Sequence, residues 1–163
     1  MRGGGDRPGL LVAAIGNPDR GDDGVGPAVA RALKLRAPAG VRVRECGGDV
    51  LELIDEWAGF PAAILIDASD PAGDPGRIRR LDLVSSMLPA DFAQNSTHAF
   101  GLAETVELAR ALGQLPRRLV VYLVEGEKFE IGMSLSPRVA QAVDRVAQAI
   151  LAELSDIAAE RPD

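Results

Sequence analysis

The stretch that most restricts what this chain can fold into is AAIGNPDRGDDGVGPAVARAL, residues 13–33. It grows out of PGLLVAAIG, an apolar run closed by glycine, which suits a strand buried on both faces. Val25, Val29, Ala32 and Leu33 then recur at helical spacing over 23–36, with Pro27 tolerated in the first turn. The segment therefore reads as a strand-to-helix turn bounded by glycines. Two acids, Asp22 and Asp23, stand side by side where the helix begins. Asp22 suits the N-cap, its side chain accepting a backbone N–H. Asp23 falls in the first helical turn, where free N–H groups and the helix dipole favour an ionised carboxylate. Capping requires only one of them.

The same alternation continues along the chain. VRVREC, 41–46, reads as a half-exposed strand, DVLELIDEW as a short amphipathic helix, and AAILIDAS as a buried strand ending near Asp67. After the turn DPAGDPG, GRIRRLDL over 77–83 reads as a further strand. Leu102, Val106, Ala109 and Leu112 share one helical face, and RLVVYLVEG is a third buried strand. Ser136 can cap a last long helix with Pro137 at its first position and Val139, Val143, Val146, Ile150 and Leu154 on one face; 158–163 reads as a frayed end. Strands alternating with helices predict an α/β fold, a three-layer α/β/α sandwich on a mostly parallel sheet. The 163 residues read as a single domain, 1–163, with its core at about 9–155.

Composition narrows the function. A hydrophobic fraction of 47% and a charged fraction of 26% are those of an ordinary globular protein, and the net charge of −6 argues against nucleic acid as a partner. Arg77, Arg79 and Arg80, like Arg117 and Arg118, read as solvated surface. Cys46 is the only cysteine, so no internal disulfide or multi-cysteine zinc site is available, and a packed, inert thiol is the expectation. MRGGGDRPG has no apolar core of a signal peptide and no run approaches a bilayer span, so the expected location is the cytoplasm, with no membrane partner.

In parallel α/β sheets, ligands bind in a crevice at the carboxyl ends of the strands. Asp67 closes such a strand. A first strand ending near Ile15 and a third ending at Asp67 would bring Asp23 and Asp67 to one edge, since adjacent strands lie about 4.8 Å apart. His98, the only histidine, sits in NSTHAFG just before the helix at 102. If 77–83 runs antiparallel, the chain must return to that same edge before this helix begins. Lone histidines are usually structural or exposed, but two carboxylates and an imidazole also make a sensible three-ligand set for a divalent transition metal with open positions. The spacing matches no general zinc signature. There is no GxSxG, and GNPDRGDDGVG is neither a P-loop nor a Rossmann fingerprint.

GNPDRGDDGVGPAV, LIDA after a strand, STHAFGL before a helix and MSLSPRVAQAV before the last helix occur in this order from about residue 10 to 154. In these motifs the chain resembles the NiFe-hydrogenase maturation endopeptidases, which remove a C-terminal extension from the hydrogenase large subunit after nickel insertion. The resemblance implies a five-stranded mixed sheet with the 77–83 strand antiparallel. It also implies Asp23, Asp67 and His98 as catalytic metal ligands, and a loop shaped by Gly16, Asn17 and Gly24. By the same resemblance the partner is the large-subunit precursor and the metal is Ni2+ carried by that substrate. The protein is expected to act as a monomer, with Asp22 or Asp70 as a candidate base. Two other readings stay open: a non-catalytic sensor of nickel loading, and an unrelated nucleotide-binding α/β domain. The acidic segment VEGEKFEIGM, 124–133, has no assigned part.

Overall fold

A computed structural model describes residues 9–85 and 99–160 of the chain. The elements run β1 (Leu10–Ile15), a short 3-10 turn (Gly21–Gly24), α1 (Val25–Lys34), β2 (Val41–Cys46), α2 (Glu52–Trp57), β3 (Ala62–Ser69), β4 (Ile78–Asp82), α3 (Ala99–Ala111), β5 (Arg118–Glu125) and α4 (Pro137–Ala159). They form one five-stranded sheet in the order β2-β1-β3-β5-β4. Neighbours pair parallel except β4, which runs antiparallel to β5 with Ile78 opposite Val124 and Asp82 opposite Val120. The expected mixed sheet and its one reversed strand are both present.

The strands read as continuous apolar runs because both of their faces are covered. Along β1, Leu10, Val12 and Ala14 enter one core with α1 and α4, while Leu11, Ala13 and Ile15 enter the other with α2 and α3. The period-two alternation therefore sorts side chains between two cores rather than between core and water. β2 is one of the two edge strands, and its Arg42 and Arg44 are exposed as its alternating sequence predicts, while Glu45, on the valine face, is exposed as well. Each large apolar side chain fully buried in these layers stabilises the fold by roughly 1.5–3 kcal/mol. Leu112, expected on the buried face of its helix, is instead 58% exposed, because α3 ends at Ala111 and the helical register no longer carries it inward.

The chain steps from β1 to β2 on one side and returns to β3 on the other. The topological switch point therefore lies between β1 and β3, and in sheets of this kind ligands bind beyond the carboxyl ends of the strands at that point. α1 starts directly over that point. A Cβ on Gly26 would lie 2.6 Å from the Ile15 carbonyl oxygen and 3.1 Å from that of Ile66, so only glycine lets the helix seat on the two strand ends. Among the described residues no helix is long and apolar enough to cross a membrane.

Candidate functional site

Beyond Ile15 the backbone turns sharply. Gly16 has φ +132°, and a side chain there would collide with the Asp23 carbonyl oxygen at 2.1 Å. The loop thus folds back on itself, and the Asn17 amide donates to Oδ2 of Asp23 at 2.8 Å, while Oδ1 of Asn17 accepts from the Asp19 amide at 2.9 Å. Asp23 is consequently held almost fully buried, with 1% of its surface exposed, rather than projecting from a helix end. Gly16 and Asn17 shape the loop as the motif implied.

Asp67 is wholly buried near the end of β3. The registered pair Ala14 and Ile66 puts Asp67 one step further along, beside Ile15, and its Oδ1 accepts from the Ala68 amide at 2.8 Å. Asp23 and Asp67 therefore come to the same edge of the sheet, at the switch point, from segments 44 residues apart. His98 lies outside the described residues. Buried carboxylates are costly unless paired, hydrogen-bonded or bound to a metal. Two such groups, one near the end of β3 and one in the turn that follows β1, supply the oxygen donors that a divalent cation takes, so the donor chemistry fits one. Among the described residues no group of three His, Cys, Asp or Glu side chains is placed to hold an ion.

Asp22 departs from expectation. The position before α1 is Gly24, with no side-chain capping bond, and Asp22 belongs to the 3-10 turn ahead of it. Its carboxylate reaches instead to the β5–α4 connection. Oδ2 accepts from the amides of Glu127 at 2.7 Å and Lys128 at 3.0 Å and from the Ser136 hydroxyl at 2.7 Å, and Oδ1 accepts from the Ser136 amide at 2.7 Å. Burial alone would raise its pKa, but these four donors more than offset it and hold the carboxyl below its ordinary range. A fully hydrogen-bonded, more acidic carboxylate is a poor general base, which removes Asp22 from that role. Asp70 lies just past β3 and is half-buried.

Ser136 does occupy the N-cap position of α4, yet its hydroxyl donates to Asp22 instead of capping the helix. The sequence offered no sign of this long-range pairing. A second buried acid was also missed. Glu125, at the end of β5, accepts from the amides of Ala72 at 2.6 Å and Asp74 at 2.7 Å and so holds the turn before β4. Its only sequence signal is an acid closing an apolar run, the signal that singled out Asp67. Cys46 is half-buried; burial, with the nearby Glu56 charge, pushes its thiol pKa up, in keeping with an inert side chain. The arginines are more engaged than expected, with Arg80 bound to Glu153 and Arg118 to Glu160.

Comparison with known proteins agrees with this geometry. A family model described as hydrogenase maturation protease (HycI) matches residues 27–153. The hydrogenase 2 maturation protease of Escherichia coli strain K12 is 28% identical over 155 residues, covering 93% of each chain. The hydrogenase expression/formation protein HoxM of Azotobacter vinelandii is 32% identical over 162 residues, 94% of this chain and 77% of its own. Among solved structures, the hydrogenase maturating endopeptidase HybD from E. coli matches with a TM-score of 0.74 at 25% identity, over 90% of this chain and 92% of its own. The solution structure of an endopeptidase from E. coli matches at 0.80 and 28%, with the same coverage.

Proposed function

The chain belongs to the hydrogenase maturation protease family, and from that premise we propose that it is the endopeptidase that trims a NiFe-hydrogenase large-subunit precursor. The cut removes a C-terminal extension once nickel has been inserted. The observation that carries this reading is the convergence of Asp23 and Asp67, both buried, at the switch point of the sheet. The nickel ion arrives as part of the substrate, so this protein tests for the metal rather than storing it. In the proposal Asp23, Asp67 and His98 reach that ion and dock the precursor on it. A divalent ion held there would supply Lewis-acid chemistry to the scissile bond, so no serine or cysteine nucleophile would be required.

The chain's own contribution is to orient its carboxylates. Asn17 fixes one oxygen of Asp23, and the Ala68 amide fixes one oxygen of Asp67. A carboxylate held in this way meets an incoming cation with little reorganisation. The test is direct: purified protein is incubated with nickel-loaded precursor, with nickel-free precursor, and in parallel as the His98→Ala variant. Shortening of the nickel-loaded precursor alone, lost in a folded His98→Ala protein, is expected. Processing by that variant at the normal rate overturns the ligand assignment. Retention of the loaded precursor without any cut favours a nickel sensor over a protease.

A further inference from the structure

The β5–α4 connection is bolted to the loop that carries Asp23. Besides the four bonds to the Asp22 carboxylate, the Asp22 amide donates to the Lys128 carbonyl at 2.8 Å, Gly21 to Met133 at 3.0 Å, and Gly132 to the Asp19 carbonyl at 2.7 Å. Nε of Arg20 adds a bond to the Phe129 carbonyl at 3.0 Å. A backbone fastened at so many points nevertheless leaves Ile131 84% exposed and Met133 40% exposed. Exposed apolar side chains are unremarkable on a loose loop, because they collapse or move at little cost. Here they are held outward, on a segment fastened to the loop that carries Asp23. Leu108 and Leu112, also exposed, lie toward the end of α3 that leads into the amino end of β5.

The surroundings of the pair are those of a contact centre. Glu127, Lys128 and Glu130 flank it and form no ion pair among the described residues, whereas Arg31, Lys34, Arg36, Arg44, Arg80 and Arg118 are all paired. A cleft of about 370 Å³ opens along the same connection between Glu127–Lys128 and Gly132–Pro137. Apolar anchors in a pre-set backbone, ringed by uncommitted charge beside a cleft, are what a specific protein contact is built from.

We propose that Ile131 and Met133 are the anchors by which this protein grips the folded body of its precursor, on an apolar surface adjoining the precursor's metal. The inference rests on the processing function proposed above. The partner is the precursor rather than a second copy of this chain, because the anchors are tied through Asp22 to the neighbouring Asp23. Whatever is presented to Asp23 and Asp67 must lie alongside them.

The test compares wild type with an Ile131→Asp/Met133→Gln double variant and with Leu35→Asp, a change at a residue 92% exposed at the end of α1. Binding to immobilised nickel-loaded precursor is measured apart from cleavage, and melting temperatures check the fold. The double variant is expected to bind about tenfold more weakly and to show a matching rise in KM with kcat within about twofold, while Leu35→Asp behaves as wild type. Binding by the double variant within about twofold of wild type overturns the proposal, as does failure of the wild type to bind precursor. The two readings separate cleanly. A tenfold binding difference without cleavage by either protein keeps the contact and removes the protease; equal binding with normal cleavage does the reverse.

Discussion

Asp22 and Glu153 are both nearly buried acids with several short hydrogen bonds, yet they are satisfied in opposite ways. Asp22 accepts only from backbone amides and one hydroxyl, all of them on the β5–α4 connection. Glu153, on α4, accepts from the Arg80 guanidinium of β4 and from the Tyr122 hydroxyl of β5. The first arrangement fixes a negative charge with dipoles and fastens one loop to another. The second neutralises its charge with a cation and fastens a helix to two strands. A carboxylate held by dipoles keeps its charge, and one stands immediately beside Asp23, where a cation would be welcome. The neutralised one lies at the antiparallel edge of the sheet. The difference teaches that burial of an acid does not mark a site until its donors are named.

The largest effect should come from removing the dipole-held acid. Asp22→Ala leaves three amides and the Ser136 hydroxyl without their acceptor, the Ser136 groups buried and the other two amides part-buried, so a loss of about 2–4 kcal/mol is expected. For a chain of this size that is a melting temperature lower by roughly 10 °C. Amide hydrogen exchange at Glu127, Lys128 and Ser136 should quicken well beyond the rest of the fold. Asp22→Asn keeps an acceptor oxygen but turns an amide toward donors, and should fall between wild type and alanine. A loss below about 1 kcal/mol for Asp22→Ala would mean the clamp is incidental.

How much of this was legible beforehand depended on range along the chain. The buried strands were readable because apolar runs such as AAILIDAS can only be covered on both faces, and the reversed β4 followed from the family resemblance. That Asp23 and Asp67 share one edge of the sheet was readable because strand ends in parallel sheets meet at a switch point. The role of Asp22 was not readable. Its donors lie more than 100 residues away, and a local rule offered a cheaper explanation in helix capping. Glu125 shows the converse. It ends β5 opposite Ser69 of β3 with the same signature as Asp67, yet serves a turn; only the position of the next segment distinguishes them.

A smaller loss is expected at the neutralised acid. Arg80→Ala removes a two-pronged pair whose cation is 46% exposed, and should cost about 1–2 kcal/mol in denaturant unfolding. A cost equal to that of Asp22→Ala would erase the contrast drawn above.

The pH dependence sharpens it. Burial opposes ionisation of Glu153, but the Arg80 and Tyr122 hydrogen bonds and the Arg80 charge more than offset this, placing its folded-state pKa below the ordinary 4.5. Its stabilisation is therefore complete above that unfolded value and is lost as pH falls through the folded one. The stability difference between wild type and Glu153→Gln should be constant from about pH 7 to 5 and shrink below about 4. A difference that stays flat through acid would show that Glu153 acts by packing rather than by charge.

The smallest effect should belong to Asp144, which also meets an arginine, Arg36 at 3.1 Å, across the gap between α1 and α4. Distance alone makes this pair look comparable to Arg80–Glu153. The Asp144 side chain is 67% exposed, however, against 11% for Glu153, so water screens it and the ordering of two long side chains cancels most of the gain. Asp144→Ala should therefore change stability by less than about 0.5 kcal/mol, and raising salt to 1 M should change wild type and variant alike. If it costs as much as Arg80→Ala, desolvation is not what separates the acids of this fold. The distinction between Asp22 and Glu153 would then have to rest on connectivity alone, on which segments each one joins.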